Sequence, residues 1–191
     1  MSFAADPIRD KNELKALADF YFRRGELRNY VLVVLGVHTA LRISDLLQLK
    51  WTDLYDYDRG CMRDHLAVVE QKTGKRRIIA LNREALRALS LYFKHHKGEY
   101  VFSNHRKHEN HISRVQAWRI LRAAVKALRL TGHISCHSLR KTWGYFAWSR
   151  AGISPEVIMT VFNHSDFRIT LRYLGVQQDD LDQAYRKMKM F

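Results

Sequence analysis

The chain has 191 residues, with 33 Lys and Arg against 19 Asp and Glu, for a formal net charge of +14, and 47% of its residues are apolar. That apolar share excludes a disordered basic tail, and the charge points to a polyanionic partner. Two cysteines, Cys61 and Cys136, are too few for a disulfide framework or a thiolate zinc site, and the longest apolar stretch, Tyr30 to Val37, falls short of the ~20 residues that cross a bilayer.

Asp10 and Glu13 have capping-box spacing, and Leu14, Leu17, Ala18 and Tyr21 then recur at helical intervals, which predicts a first helix closed by Arg23-Arg24-Gly25. A second helix, buried on most sides, is expected from about Arg28 to Thr39, and Ser44 is expected to cap a short third one. Residues 65–70 and 76–81, separated by Lys72-Thr73-Gly74-Lys75, read as a β-hairpin with a basic turn. Asn82 then caps a helix to about His96, Tyr100 to Phe102 reads as a short strand, and Ser113 caps a long helix whose apolar stripe is Val115, Trp118, Leu121, Val125 and Leu128.

Gly132 breaks the pattern, and a helix resumes near Ser138 and ends at Gly152. Ser154-Pro155-Glu156 combines a capping side chain, a first-turn proline and an acid at the positive end of the dipole. Asp166 and Asp179 can cap two further helices, the last carrying Leu181, Ala184, Tyr185 and Met188 on one face. The fold class is therefore mainly α with a small antiparallel β-hairpin, in a single domain over residues 1–191.

The chemistry lies in scattered pieces. His137-Ser138-Leu139-Arg140 sets a proton carrier and a fixed cation on one side of a helix start, able to address one phosphate; a solvated helix start explains the same spacing. Arg42, in Thr39-Ala40-Leu41-Arg42-Ile43-Ser44-Asp45-Leu46, sits between a buried helix and a short one, where a salt bridge to Asp45 or another carboxylate is as natural as catalysis. Lys72 reads equally as an exposed turn lysine. Asn163-His164-Ser165 and Thr170-Leu171-Arg172-Tyr173 complete the set. His95, His96, His105, His108 and His111 lack zinc-ligand spacing, so no metal is assigned. Cys136 beside His137 reads as packing, as do Trp143, Tyr145 and Trp148, with Trp118.

Taken in order, Arg42 in T-A-L-R-I-S-D-L, Lys72 in K-T-G-K, His137 and Arg140 in H-x-L-R, His164 in N-H-S and Tyr173 in T-L-R-Y resemble the tyrosine recombinases of the phage-integrase family, over about residues 10–185. Tyr173 follows His164 by the nine positions that the family uses. The family usually writes Leu-Gly-His where this chain has Phe162-Asn163-His164, and often places a histidine where Gly175 stands. Most members also carry an amino-terminal helical domain that this chain lacks, so it resembles the compact members or an excised fragment.

The resemblance implies a tyrosine-recombinase catalytic-domain fold and a site-specific recombinase acting on double-stranded DNA without metal or cofactor. In that reading Tyr173 is the nucleophile, Arg42 and Arg140 clamp the phosphate, His137 accepts the tyrosine proton, Lys72 protonates the leaving 5′ oxygen, and His164 donates to the phosphate. Lys75, Arg76, Arg114 and Lys141 are expected to bind DNA. A tetramer on DNA is expected, with the helix over about 179–191 exchanged between subunits, in the bacterial cytoplasm and associated with the nucleoid. The alternative is a recombinase-like DNA-binding regulator without strand transfer.

Overall fold

The computed structural model of the chain describes residues 5–96, 98–104, 110–174, 182 and 185–188, with only the backbone of Arg172. Asp10 caps α1 (Lys11–Phe22), its carboxylate accepting from the Asn12 N–H at 2.7 Å. α2 (Leu27–His38) is apolar on nearly every side and sits at the centre of the molecule, packed by α1 on one flank. α3 (Ile43–Leu47) begins one residue before the expected cap: Arg42 is the extended residue that precedes it, and Ser44 lies inside the first turn.

A short helix, α4 (Trp51–Leu54), and a two-residue hairpin, β1 (Tyr55–Asp56) with β2 (Cys61–Met62), follow. Neither was expected, because elements this short have no room for periodicity. The expected hairpin is β3 (His65–Val69) antiparallel to β4 (Arg76–Ala80), with Leu66 opposite Ile79 and Val68 opposite Arg77. α5 (Arg83–Phe93) is capped by the Asn82 side chain and ends three residues short of His96. The segment around Tyr100 forms a single bridge to Lys50 in place of a strand.

α6 (Arg114–Ala127) starts at a Ser113–Gln116 capping box, as expected, but its buried face is Ala117, Leu121, Ala124 and Val125. Val115 and Trp118, assigned to the apolar stripe, are 56% and 47% exposed. Two alanines bring α6 close to its neighbours, so the seam follows small residues and leaves the large ones outside. α7 (Cys136–Ser149), α8 (Pro155–Phe162) and α9 (Phe167–Leu174) complete the described helices.

α7 carries His137 and Arg140, and three contacts fix it. A Cβ on Gly36 of α2 would come within 2.6 Å of Leu139 Cδ1, and one on Gly144 would come within 2.7 Å of the Phe162 ring, so both crossings are as close as glycine permits. The segment ahead of α1 straps the start of α7: the Ile8 N–H donates to Thr142 Oγ1 at 2.8 Å and the Asp6 N–H to the His133 carbonyl at 3.1 Å. Ala18, Tyr30, Ile120 and Cys136 pack against both larger apolar clusters and join them, while Ala147, Ile158, Phe162 and Leu174 form a third beneath the site. No helix among the described residues is long and apolar enough to cross a membrane.

Candidate active site

α7 begins at Cys136, two residues before the expected start near Ser138, because Ser135 is its cap and forms a capping box with Ser138. That start puts His137 and Arg140 in the first two turns, three residues apart and on one side. Arg140 is 1% exposed. One terminal nitrogen donates to the Ala40 carbonyl and the other to the Phe162 carbonyl at 2.7 Å, with the guanidinium 4.7 Å from the Phe162 ring centroid. Ala40 has φ 54°, and this left-handed residue turns the chain between α2 and Arg42. Burial first, then the Arg42 charge, lowers the Arg140 pKa to about 10, which leaves it cationic at neutral pH.

Asp166 caps α9 by accepting from the Arg168 N–H at 2.8 Å, and this helix presents Tyr173. The Tyr173 hydroxyl hydrogen-bonds His137 Nε2, and the two rings meet edge to face at 5.0 Å. Lost hydration, then Arg140, Lys141 and Arg42, pull the His137 pKa down to about 4, so the imidazole is neutral and able to accept a proton. His164 lies 4.6 Å from the Tyr173 ring, and its pKa is lowered to about 4, by burial and then by Arg140 and Arg42. Its Nδ1 is 3.0 Å from the hydroxyl of buried Thr170; with that hydroxyl donating, the ring proton sits on Nε2. The Tyr173 pKa is raised by burial, with Arg140 and Arg42 opposing the rise.

The second arginine is held by a residue outside the sequence motifs. Glu70 has a fully buried side chain, and Oε2 accepts from Arg42 Nη1 at 2.9 Å while Oε1 accepts from Arg77 Nη1 at 2.9 Å. Thr73 Oγ1 at 2.9 Å and Asn163 Nδ2 at 3.1 Å donate to the same carboxylate. Burial opposes ionisation, but four donors outweigh it and the Glu70 pKa falls to about 2. Arg42 thus has its carboxylate partner, which is Glu70 and not Asp45. Asp45 Oδ1 accepts from the Gln71 N–H at 3.1 Å, at the start of the hairpin turn.

Arg42, His137, Arg140, His164 and Tyr173 therefore converge. Lys72 stands exposed on the turn that Glu70 anchors, and Lys75, also exposed, donates from Nζ to Asn163 Oδ1 at 2.9 Å. Lys141 is only 8% exposed, with Nζ 5.5 Å from the Tyr173 centroid. It therefore stands beside the tyrosine ring and not on an exposed outer face. Arg76 and Arg114 are exposed at the starts of β4 and α6.

Glu70, Arg77, Thr170 and Asn163 escaped the sequence reading. The strand alternation held a signal: Leu66, Val68 and Glu70 share one face, so Glu70 follows two core residues inward, where a carboxylate requires cationic partners. Asn163 takes φ 51° and ψ 47°, the left-handed cap that glycine would supply. Cys136 is a packed thiol whose pKa burial pushes up to about 11. His96 stacks on Phe93, and His111 meets the Tyr100 ring; His105 and His108 lie outside the described residues, among which no three metal-type ligands gather. Gly175 and most of residues 179–191 also lie outside them.

Fold and site together define the catalytic domain of a tyrosine recombinase. The chain belongs to the phage integrase family, whose pattern it matches over residues 9–179. It is 36% identical over 181 residues to the probable integrase/recombinase YoeC of Bacillus subtilis (strain 168), covering 94% of each chain. It is 25% identical over 183 residues to the tyrosine recombinase XerA of Pyrococcus furiosus, covering 94% of this chain and 61% of that one. A crystal structure of XerA recombinase is 20% identical, with a TM-score of 0.78 over 99% of this chain and 66% of that chain. A lambda integrase dimer bound to a COC′ core site is 21% identical, with a TM-score of 0.72 over 100% and 53%. The chain thus spans nearly all of YoeC, but less than two thirds of the XerA sequence.

Proposed function

We propose that this recombinase breaks and rejoins double-stranded DNA at specific sites through a 3′-phosphotyrosine on Tyr173. The carrying observation is the Tyr173 hydroxyl on the neutral imidazole of His137, beside two arginines. Forming phenolate at neutral pH costs roughly 4 kcal/mol from an unperturbed tyrosine, so a positioned base and a cationic field are both required. His137 takes the phenol proton as Tyr173 Oη bonds to phosphorus. Arg42 and Arg140 hold the non-bridging oxygens, and His164 donates to them from Nε2. The P–O5′ bond breaks, and Lys72 protonates the departing oxygen. The 5′-hydroxyl later attacks the phosphotyrosine, so rejoining needs no ATP and no cofactor.

Lys75, Arg76, Arg114 and Lys141 are assigned to DNA contact, the last at the scissile phosphate beside Tyr173. The working form is a tetramer on paired sites, in the bacterial cytoplasm on the nucleoid, with residues 179–191 docked on a neighbouring protomer. Tyr185 and Met188, 80% and 69% exposed, support that docking because they have little cover from their own domain. One experiment tests both parts: DNA carrying a nicked suicide site, incubated in EDTA, is run on denaturing and native gels. Wild-type protein forms a covalent adduct, and Tyr173→Phe forms none while still shifting the DNA; adduct from the variant refutes the nucleophile. Paired-site DNA yields a four-protomer complex that deletion of residues 178–191 abolishes, and an unchanged complex refutes the docking.

A further inference from the structure

Asn163 is where this chain departs from the Leu-Gly-His of its family, and the departure uses every polar atom of the side chain. Nδ2 donates to Glu70 Oε2 at 3.1 Å and to Thr73 Oγ1 at 3.2 Å, and Oδ1 accepts from Lys75 Nζ at 2.9 Å. All three partners belong to the Glu70–Lys75 turn, about 90 residues earlier in the sequence. Charge fixes the amide orientation: the reverse would set the carbonyl against the Glu70 carboxylate and the NH₂ against the Lys75 ammonium. The backbone is left-handed, so glycine would serve the conformation equally and supply none of these bonds. The next residue, His164, packs on Tyr173.

We propose that Asn163 is a positioning residue that latches the basic turn onto the loop presenting His164, and so sets the leaving-group proton donor at the scissile phosphate. The inference rests on the assignment of Lys72 as that donor. Lys75 is tethered by the latch, and Lys72, exposed on the same turn, makes no hydrogen bond or ion pair among the described residues, so its ammonium is free to reach the leaving oxygen. As Tyr173 Oη bonds to phosphorus and the P–O5′ bond breaks, the proton passes from the Lys72 ammonium to O5′. Without the latch the turn keeps only its Asp45 and Glu70 anchors, its far end around Lys75 is released, and proton delivery slows without loss of phosphate binding.

The test separates positioning from structure by changing the leaving group. In DNA whose 5′-bridging oxygen is replaced by sulfur, the departing thiolate needs no proton. Asn163→Gly keeps the left-handed backbone and removes only the latch. On ordinary suicide DNA its single-turnover cleavage is expected to fall about tenfold or more, with affinity within about twofold because no charge is lost. On the sulfur substrate it should match wild type. Equal rates on ordinary DNA overturn the latch, and equal slowing on both substrates shows a structural role and overturns it too. Lys72→Ala runs in parallel: if sulfur fails to rescue it while rescuing Asn163→Gly, the assignment of Lys72 fails and the latch serves another donor.

Discussion

Arg140 and the Glu70–Lys75 turn face the same pocket, and they are held in opposite ways. The arginine is fully enclosed, its terminal nitrogens on two main-chain carbonyls, in a helix pinned by the Gly36–Leu139 and Gly144–Phe162 crossings. Residues 71–76 of the hairpin are exposed and held from behind by side chains, those of Asp45, Glu70 and Asn163. A charge that must stand ready before the substrate arrives is fixed by backbone, so its orientation is settled during folding. Lys72, the proposed proton donor, sits on a segment with few buried contacts, the kind that opens locally at small cost.

The largest effect is expected at Arg140. Arg140→Lys keeps a charge but cannot span the Ala40 and Phe162 carbonyls or present a fork to the phosphate. Single-turnover cleavage is expected to fall by about 10²–10³. A lysine variant within a few-fold of wild type would show that a point charge suffices and that the enclosure has no catalytic purpose.

Glu70→Gln sharpens the other side, because it removes the negative charge that holds Arg42, Arg77 and the turn together. Both arginines keep some exposure, so the expected loss is about 2 kcal/mol in urea unfolding. The sign follows from the lowered pKa: Glu70 contributes fully above its unfolded value of about 4.5, and the contribution disappears as pH falls towards about 2. The gap between wild type and variant should therefore be constant from pH 8 to 5 and narrow below. A gap under about 0.5 kcal/mol would mean that water replaces the carboxylate.

The smallest effect is at the imidazoles. In DNA-free protein, NMR titration should place His137 and His164 near pH 4, against about 6.5 for an unperturbed ring. Both are lowered, so the stability from their neutral forms is full above about 6.5 and is lost as pH falls towards 4. Titration near 6.5 would show that neither lost hydration nor the arginine field acts on them.

Much of this was legible because caps and periodicity are local chemistry. Asp10, Asn82, Ser113, Ser154 and Asp166 each cap the helix that follows, and the hairpin alternation gave the strands to within a residue. Arg42, His137, Arg140, His164 and Tyr173 were legible through their ordered motifs. Glu70 and Asn163 were not, since their partners lie 28 and 93 residues away and neither type signals a site by itself. The α6 stripe held at Leu121, Val125 and Leu128 and missed at Val115 and Trp118: hydrophobicity ranks Trp118 above Ala117, but the buried face takes the smaller residue.

The main-chain anchoring of Arg140 bears on how such a pocket persists through descent. Every amino acid brings a carbonyl oxygen, so positions 40 and 162 can be rewritten without removing the acceptors, provided the backbone keeps its path. What the arginine asks of those two positions is a backbone path, while their side chains answer to other constraints, such as the close crossing of Phe162 on Gly144. Phe162-Asn163 stands where the family usually writes Leu-Gly, and the carbonyl at position 162 still accepts from the arginine while the next side chain bonds to the hairpin turn.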